Sequence, residues 1–204
     1  MKIYGSPISP FVRMALVVGH EAGVGGRIEH VVERVHLTTA NPKITALSPL
    51  GKIPVLETDH SHPLYDSRVI IEYLCHVAGN STLIPDDGVK RFKVLTLLAL
   101  GQGLGDAAVG YRYETAERPA ELRWPDWIAR TTTRITAALD DLEANWQAAL
   151  ADISAGSIAV GVVLSYLDYR LGALDWRKGR PKLAAFHAAF AKRDSMVKTA
   201  LAPA

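Results

Sequence analysis

Three turn-forming residues, Pro49, Gly51 and Pro54, crowd directly against the β-prone run Val55-Leu56-Glu57-Thr58. No other stretch narrows the fold as much. A proline within a strand removes a ladder donor, so Pro54 opens a strand rather than sitting inside one. A second apolar run, Pro63-Leu64-Tyr65, follows the polar tract Asp59-His60-Ser61-His62, which suits a hairpin turn. Asp66-Ser67 then precedes Val69, Ile70, Ile71, Tyr73 and Leu74, which repeat at helical spacing, and a side-chain oxygen there caps the helix start. The stretch reads as loop, proline-led strand, hairpin, strand and capped helix.

Upstream, Lys2-Ile3-Tyr4 is a short strand ended by Gly5-Ser6-Pro7. Ser9 suits a helix N-cap and Pro10 the first helical position, where no donor is missed. Phe11, Met14, Ala15 and Val18 carry the apolar spacing of that helix, and Gly23 closes its region. Ile28, His30 and Val32 alternate with polar partners over residues 27–33, giving a second strand. A strand-helix-strand unit implies a right-handed crossover with parallel pairing. With a short helix near residues 41–46, the order is βαβ then ββα, a thioredoxin-like half covering residues 1–79.

Residues 80–86 are polar and turn-rich, hence a linker. From 87 to 204 the pattern is all-helical. Leu95, Leu98, Leu104 and Ala108 mark a long helix to about Thr115, in which Gly101, Gly103 and Gly105 each cost ~1 kcal/mol relative to alanine and point to close backbone contact or a kink. Trp127, Ile128, Ile135, Leu139, Leu142 and Trp146 mark a second helix. Ser157 caps a third, through Val162, Val163, Tyr166, Leu167 and Leu171, and Pro181 begins a last one with Leu183, Phe186 and Phe190. The expected class is α/β plus all-α, in two subdomains.

Composition removes several functions. Of the 204 residues, 49% are apolar and 22% charged, ordinary for a globular chain with a core. The net charge is +2 with basic residues scattered singly, so no footprint for nucleic acid is expected. No leader pattern and no uninterrupted apolar run long enough for a bilayer stands out, so no membrane is expected as a partner. A single cysteine, Cys75, forms no intrachain disulfide and no cysteine cluster, and fits a reducing, cytoplasmic setting. The seven histidines show no close pair at helical metal spacing, so no metal site is expected.

The ordered set Asn41-Pro42, Ser48-Pro49-Leu50-Gly51-Lys52-Ile53-Pro54-Val55-Leu56, Leu64-Tyr65-Asp66-Ser67 and Ile70-Ile71-Glu72-Tyr73-Leu74 resembles the glutathione-binding half of the glutathione S-transferase family. The likeness is strongest to bacterial YibF-type transferases and runs from Met1 to about Ser195. It implies glutathione as co-substrate, a small, largely apolar electrophile as second substrate, a homodimer and a role in detoxification. It also implies a cis bond at Pro54, and an acid-serine pair, Asp66 and Ser67, at the γ-glutamyl end of the peptide.

Within that frame Ser9 is the catalytic candidate. A helix N-terminus offers unpaired amides and about half a unit of positive charge, which favours an anion such as a thiolate. Free thiols titrate near pH ~8.5, and such a position with a hydroxyl donor lowers that value. Ser9 also serves as a plain N-cap, and the two roles coexist. Ser9-Pro10-Phe11-Val12-Arg13 matches the family segment that bears the catalytic serine or cysteine, which brings Phe11 to the ligand; Ser6 and Tyr4 are rival hydroxyls. A serine forms no mixed disulfide, which disfavours thiol-disulfide chemistry and leaves attack by glutathione's own sulfur. With Pro54 cis, the backbone of Ile53 can pair with the cysteinyl part of the peptide as a one-residue strand addition. Lys52 can meet the glycyl carboxylate as a point charge or simply be solvated.

Asp106, Tyr111, Arg112 and Tyr113 stand on the first long helix, whose counterpart in the family faces the active cleft; most residues so placed are solvated or core. Cys75, at helical spacing from Ile71, reads as a buried small hydrophobe. One departure is Val160, where the family resemblance calls for an aspartate three residues after the capping serine. With Ser157 capping alone, a less tightly fixed helix start is expected. The alternative to an enzyme is a non-catalytic protein of the same fold that binds ligands or partners through the same cleft.

Overall fold

Strand β1 (Lys2–Tyr4) lies at the centre of a three-stranded sheet, between β2 (Glu29–Val31) and β3 (Val55–Glu57). The computed structural model describes residues 1–58, 60 and 62–201. β1 pairs in parallel with β2, Ile3 opposite His30, and antiparallel with β3, Ile3 opposite Leu56. Between β1 and β2 runs α1 (Pro10–Glu21), entered through Ser9 as N-cap and Pro10 in the first turn, as the sequence predicts. Its end also follows the expectation: Gly23 takes φ +85°, and its amide donates to the carbonyl of His20. The second strand is shorter than residues 27–33, because Gly25–Arg27 form a 3-10 turn and Val32 is 59% exposed. α2 (Pro42–Leu47) is capped by Asn41.

The proline-led strand is where the sequence puts it, with a cis Ile53–Pro54 bond and β3 beginning at Val55. The strand after the hairpin is reduced to one bridge. Leu64 exchanges backbone hydrogen bonds with Leu56 at 2.9 and 2.8 Å, and pairing stops there. The next pair in that register would set Asp66 against Pro54, which has no donor to offer, and the chain turns at once into α3 (Ser67–Val77). In the turn itself, Asp59 and Ser61 lie outside the described residues. α1 packs on α3, burying Val12, Met14, Ala15, Val17 and Val18 in one cluster and Ile70, Ile71, Leu74 and Cys75 in the other.

The chain divides into two compact units, Met1–Arg91 with the segment from Arg193 onward, and Phe92–Lys192. The division falls inside α4 (Gly88–Arg112). The second unit also contains α5 (Pro125–Asn145), α6 (Gln147–Leu150), α7 (Ala155–Arg170) and α8 (Pro181–Phe190). α7 is buried on nearly all sides over its first ten residues, which matches its lack of an amphipathic pattern. A Cβ at Gly101 would stand 2.8 Å from the Cβ of Ala159, so this glycine lets α4 approach the backbone of α7. Gly103 faces open space.

Three sequence expectations change here. The helical run from Gly88 to Glu117 is long and apolar enough, at a mean hydropathy of 1.3, to cross a bilayer by length and composition. Glycine and threonine, nearly neutral in hydropathy, interrupt its apolar residues without lowering the mean much. A core helix has the same composition, and this one buries Leu97, Leu98, Leu104 and Ala108. Second, the cap of α7 is Ser154, not Ser157. Ser157 sits at the third helical position, where its Oγ accepts from the Ser154 amide at 2.9 Å while the Ser157 amide donates to Ser154 Oγ at 3.1 Å. The capping box is therefore complete and the start of α7 is fixed. Third, Pro181 does not open the last helix: α9 (Asp194–Lys198) follows, in the first unit.

Candidate active site

The site is assembled at one end of the small sheet by strand register. β1 and β3 run antiparallel with Tyr4 opposite Val55, so the loop leaving β1 toward Ser9 emerges beside Ile53-Pro54. The antiparallel bridge Leu56–Leu64 brings the chain back, and two residues further along Asp66 is level with Pro54. Neighbouring strands lie ~4.8 Å apart, so three separate loops converge within a few residues' width. The contact between two of them is direct. A Cβ at Gly5 would lie 2.4 Å from Val12 Cγ2 and 3.2 Å from Ile53 Cβ, so only a glycine lets the first loop settle against both.

Ser9 is half-buried at the N-terminus of α1, where its Oγ accepts from the Val12 amide at 3.4 Å. Its own proton is given to no other group among the described residues, so the hydroxyl can cap the helix and still donate outward. Phe11 follows in the first turn, half-buried. The rival Tyr4 is otherwise engaged: its hydroxyl donates to Glu57 Oε2 at 2.6 Å. That bond to a carboxylate raises the phenol to about 12, the wrong direction for a group meant to stabilise a thiolate at neutral pH. Ser6 remains a half-buried loop hydroxyl that accepts from the Ile8 amide at 3.4 Å.

Pro54 is buried, while Ile53 is half-buried with amide and carbonyl bonded to no protein group among the described residues. A strand edge of one residue is thus open to an extended peptide. Lys52 is exposed and forms no ion pair among the described residues. Asp66 is the N-cap of α3, its Oδ1 accepting from the Arg68 amide at 2.9 Å, and it is exposed, which leaves its second oxygen accessible. Ser67, the first helical residue, is 5% exposed. Two helix N-termini, those of α1 and α3, each with a serine beside them, therefore flank the open backbone of Ile53. The arrangement can hold a short extended peptide bearing an anionic group at either helix start.

Cys75 is buried in α3, and that burial pushes its thiol up to about 11, consistent with a core role. In the second unit Asp106 is exposed, Tyr111 and Arg112 end α4, and Tyr113 opens a π-helical turn (Tyr113–Glu117). Arg112 pairs with Glu117 at 3.1 Å, and its Nη1 is buried without a partner. No cluster of metal-ligating side chains occurs among the described residues. Sequence reasoning missed the engagement of Tyr4 by Glu57, which follows from strand register: Val55 stands opposite Tyr4, and Glu57, two residues on, shares its face of the sheet. It also missed the packing of the 193–199 segment on α1, across more than 170 residues of chain, for which no local pattern exists.

Comparison with known proteins follows the same division. Residues 8–77 match the model of the glutathione S-transferase N-terminal domain, and residues 125–189 that of the C-terminal domain. An uncharacterised GST-like protein of Escherichia coli K12, YibF, is 30% identical over 98% of both chains. A glutathione transferase family member from Pseudomonas fluorescens Pf-5 with bound glutathione superposes with a TM-score of 0.95, at 38% identity and over 100% of this chain and 98% of that one. The same protein with bound S-(propanoic acid)-glutathione gives 0.89 at 38% identity, over 98% of each chain. Matched across its whole length in sequence and in fold, the chain belongs to the glutathione S-transferase family.

Proposed function

We propose that this protein is a serine-type glutathione transferase that stabilises the thiolate of glutathione and joins it to a small, largely apolar electrophile. The observation that carries the reading is the Ser9 hydroxyl: it caps α1, keeps its own proton uncommitted, and ends the loop whose Gly5 packs against Val12 and Ile53. Glutathione would lie across the open backbone of Ile53, its γ-glutamyl end at Asp66 and Ser67 and its glycyl carboxylate toward Lys52, with Phe11 beside it. Its sulfur would then sit at the N-terminus of α1. There the amides and the Ser9 proton favour the anion, and the reaction needs only thiolate and positioning.

The bound glutathione in the Pseudomonas fluorescens relative supports the ligand, and its S-propanoate adduct supports room for a substituent on sulfur in a protein of this kind. The engagement of Tyr4 by Glu57 favours the serine over a tyrosine. We further propose a cytoplasmic homodimer acting in detoxification, on the family likeness. Turnover with a generic aromatic electrophile, compared with Ser9→Ala, tests the reading. A loss of about 100-fold in kcat/KM is expected. An unchanged rate removes Ser9 from the mechanism, and tight glutathione binding without turnover on a broad electrophile panel makes the protein a binder.

A further inference from the structure

Helix α1, which carries Ser9, is gripped at both ends by the same distant segment. Near its start, Arg13 is 6% exposed, its Nη2 donating to the Met196 carbonyl at 3.1 Å and its Nε to Thr199 Oγ1 at 3.3 Å. At its last residue, Glu21 accepts from Arg193 Nε and Nη2, both at 2.8 Å, and from the Ser195 hydroxyl at 2.5 Å. The two grips are eight residues apart on α1, about 12 Å along the axis. They are joined on the other side by α9, where Thr199 Oγ1 also donates to the Ser195 carbonyl at 2.8 Å.

We propose that residues 193–199 form a clasp that fixes the tilt and register of α1, and through it the position of the Ser9 hydroxyl, making Arg13 and Glu21 positioning residues for the thiolate. The proposal rests on the serine-type reading given above. The choice of partners supports it. A buried guanidinium placed for stability would end on a carboxylate, yet Arg13 meets only neutral oxygens among the described residues, so desolvation outweighs much of its stabilising value. Burial lowers it only to about 10, so it is charged at neutral pH. What the arrangement does supply is a fixed distance between the first turn of α1 and the backbone at Met196. The Arg13 amide donates to the Ser9 carbonyl at 3.0 Å, so a shift of that turn moves Ser9 with it.

The test is the apparent pKa of the thiol of bound glutathione, followed by ultraviolet absorbance, together with glutathione affinity by calorimetry. The variants are Thr199→Val, which removes one of the two bonds of the first grip without changing charge, and Glu21→Ala, which opens the second. Both are expected to raise the bound-thiol pKa by about half a unit or more while affinity changes less than about threefold, because the peptide is held elsewhere. The sign in Glu21→Ala is decisive. Removing a negative charge would by Coulomb effects alone lower the thiol pKa, whereas releasing the clasp raises it. Arg193→Gln, on the exposed side of the second grip, is a milder release if Glu21→Ala is poorly folded. Wild-type values in all three variants overturn the clasp, as does a fall in Glu21→Ala. Absence of bound thiolate in the wild type overturns the serine-type reading instead, and the clasp with it.

Discussion

Gly5→Ala is the sharpest perturbation of the site's architecture. The added Cβ would lie 2.4 Å from Val12 Cγ2 and 3.2 Å from Ile53 Cβ, where ordinary contact is 3.4–4 Å. The Val12 methyl must therefore retreat by about 1 Å, yet Val12 is fully buried, and packed interiors yield poorly. The backbone at φ +156° adds to the cost for an L-residue. Overpacking of this kind costs ~2 kcal/mol, about a 30-fold change in the folded fraction's equilibrium. Urea unfolding followed by far-ultraviolet circular dichroism reads it. Fluorescence is less suitable, because all four tryptophans (Trp124, Trp127, Trp146 and Trp176) belong to the second unit. Glutathione affinity should fall as well, since the two groups pushed apart are α1 and the open backbone of Ile53. A variant within 0.5 kcal/mol of wild type, with unchanged affinity, would refute the claim that this close approach holds the site's loops together.

Ser154→Ala removes one half of the reciprocal cap of α7 in a buried setting, and is expected to cost ~1–2 kcal/mol, seen as a fall of several degrees in Tm. Tyr4→Phe should leave the pKa of the bound thiol unchanged, because the phenol's proton is committed to Glu57; a rise of a full unit would restore the tyrosine as a candidate. Glu21 is held below its ordinary value of 4.5, chiefly by hydrogen bonds from Arg193. A carboxylate whose folded pKa is depressed contributes stability that is present above the unfolded value and lost as pH falls through the folded one. Acid titration of stability should therefore be shallower below pH 4.5 in Glu21→Ala than in wild type, and parallel curves would contradict the pairing.

Much of the site was legible because its signals are local. Ser9-Pro10 and Asp66-Ser67 are helix starts written in adjacent residues, and Pro54 opens its strand for lack of a donor. The convergence of the three loops follows from strand register, which the alternation of apolar residues only partly specifies: Val32 looked inward by pattern and lies exposed beyond the end of β2. The misplaced cap of α7 shows a different limit. Ser154 and Ser157 are both competent caps, and only the backbone, extended at Ser154 with φ −155°, ψ 166°, decides which is outside the helix. The clasp was unreadable because Glu21 and Arg193 have no shared periodicity, and the five-residue helix α9 is too short for its pattern to rise above its surroundings.

Whether Ser9 at the start of α1 holds the thiolate of glutathione is read by an ultraviolet pH titration of glutathione bound to wild type and to Ser9→Ala. A thiolate band near neutral pH is expected in the wild type, displaced upward by about one to two pH units in the variant, at nearly equal glutathione affinity. Coincident titrations would contradict it, leaving Ser9 a helix cap and the thiolate to the α1 amides alone.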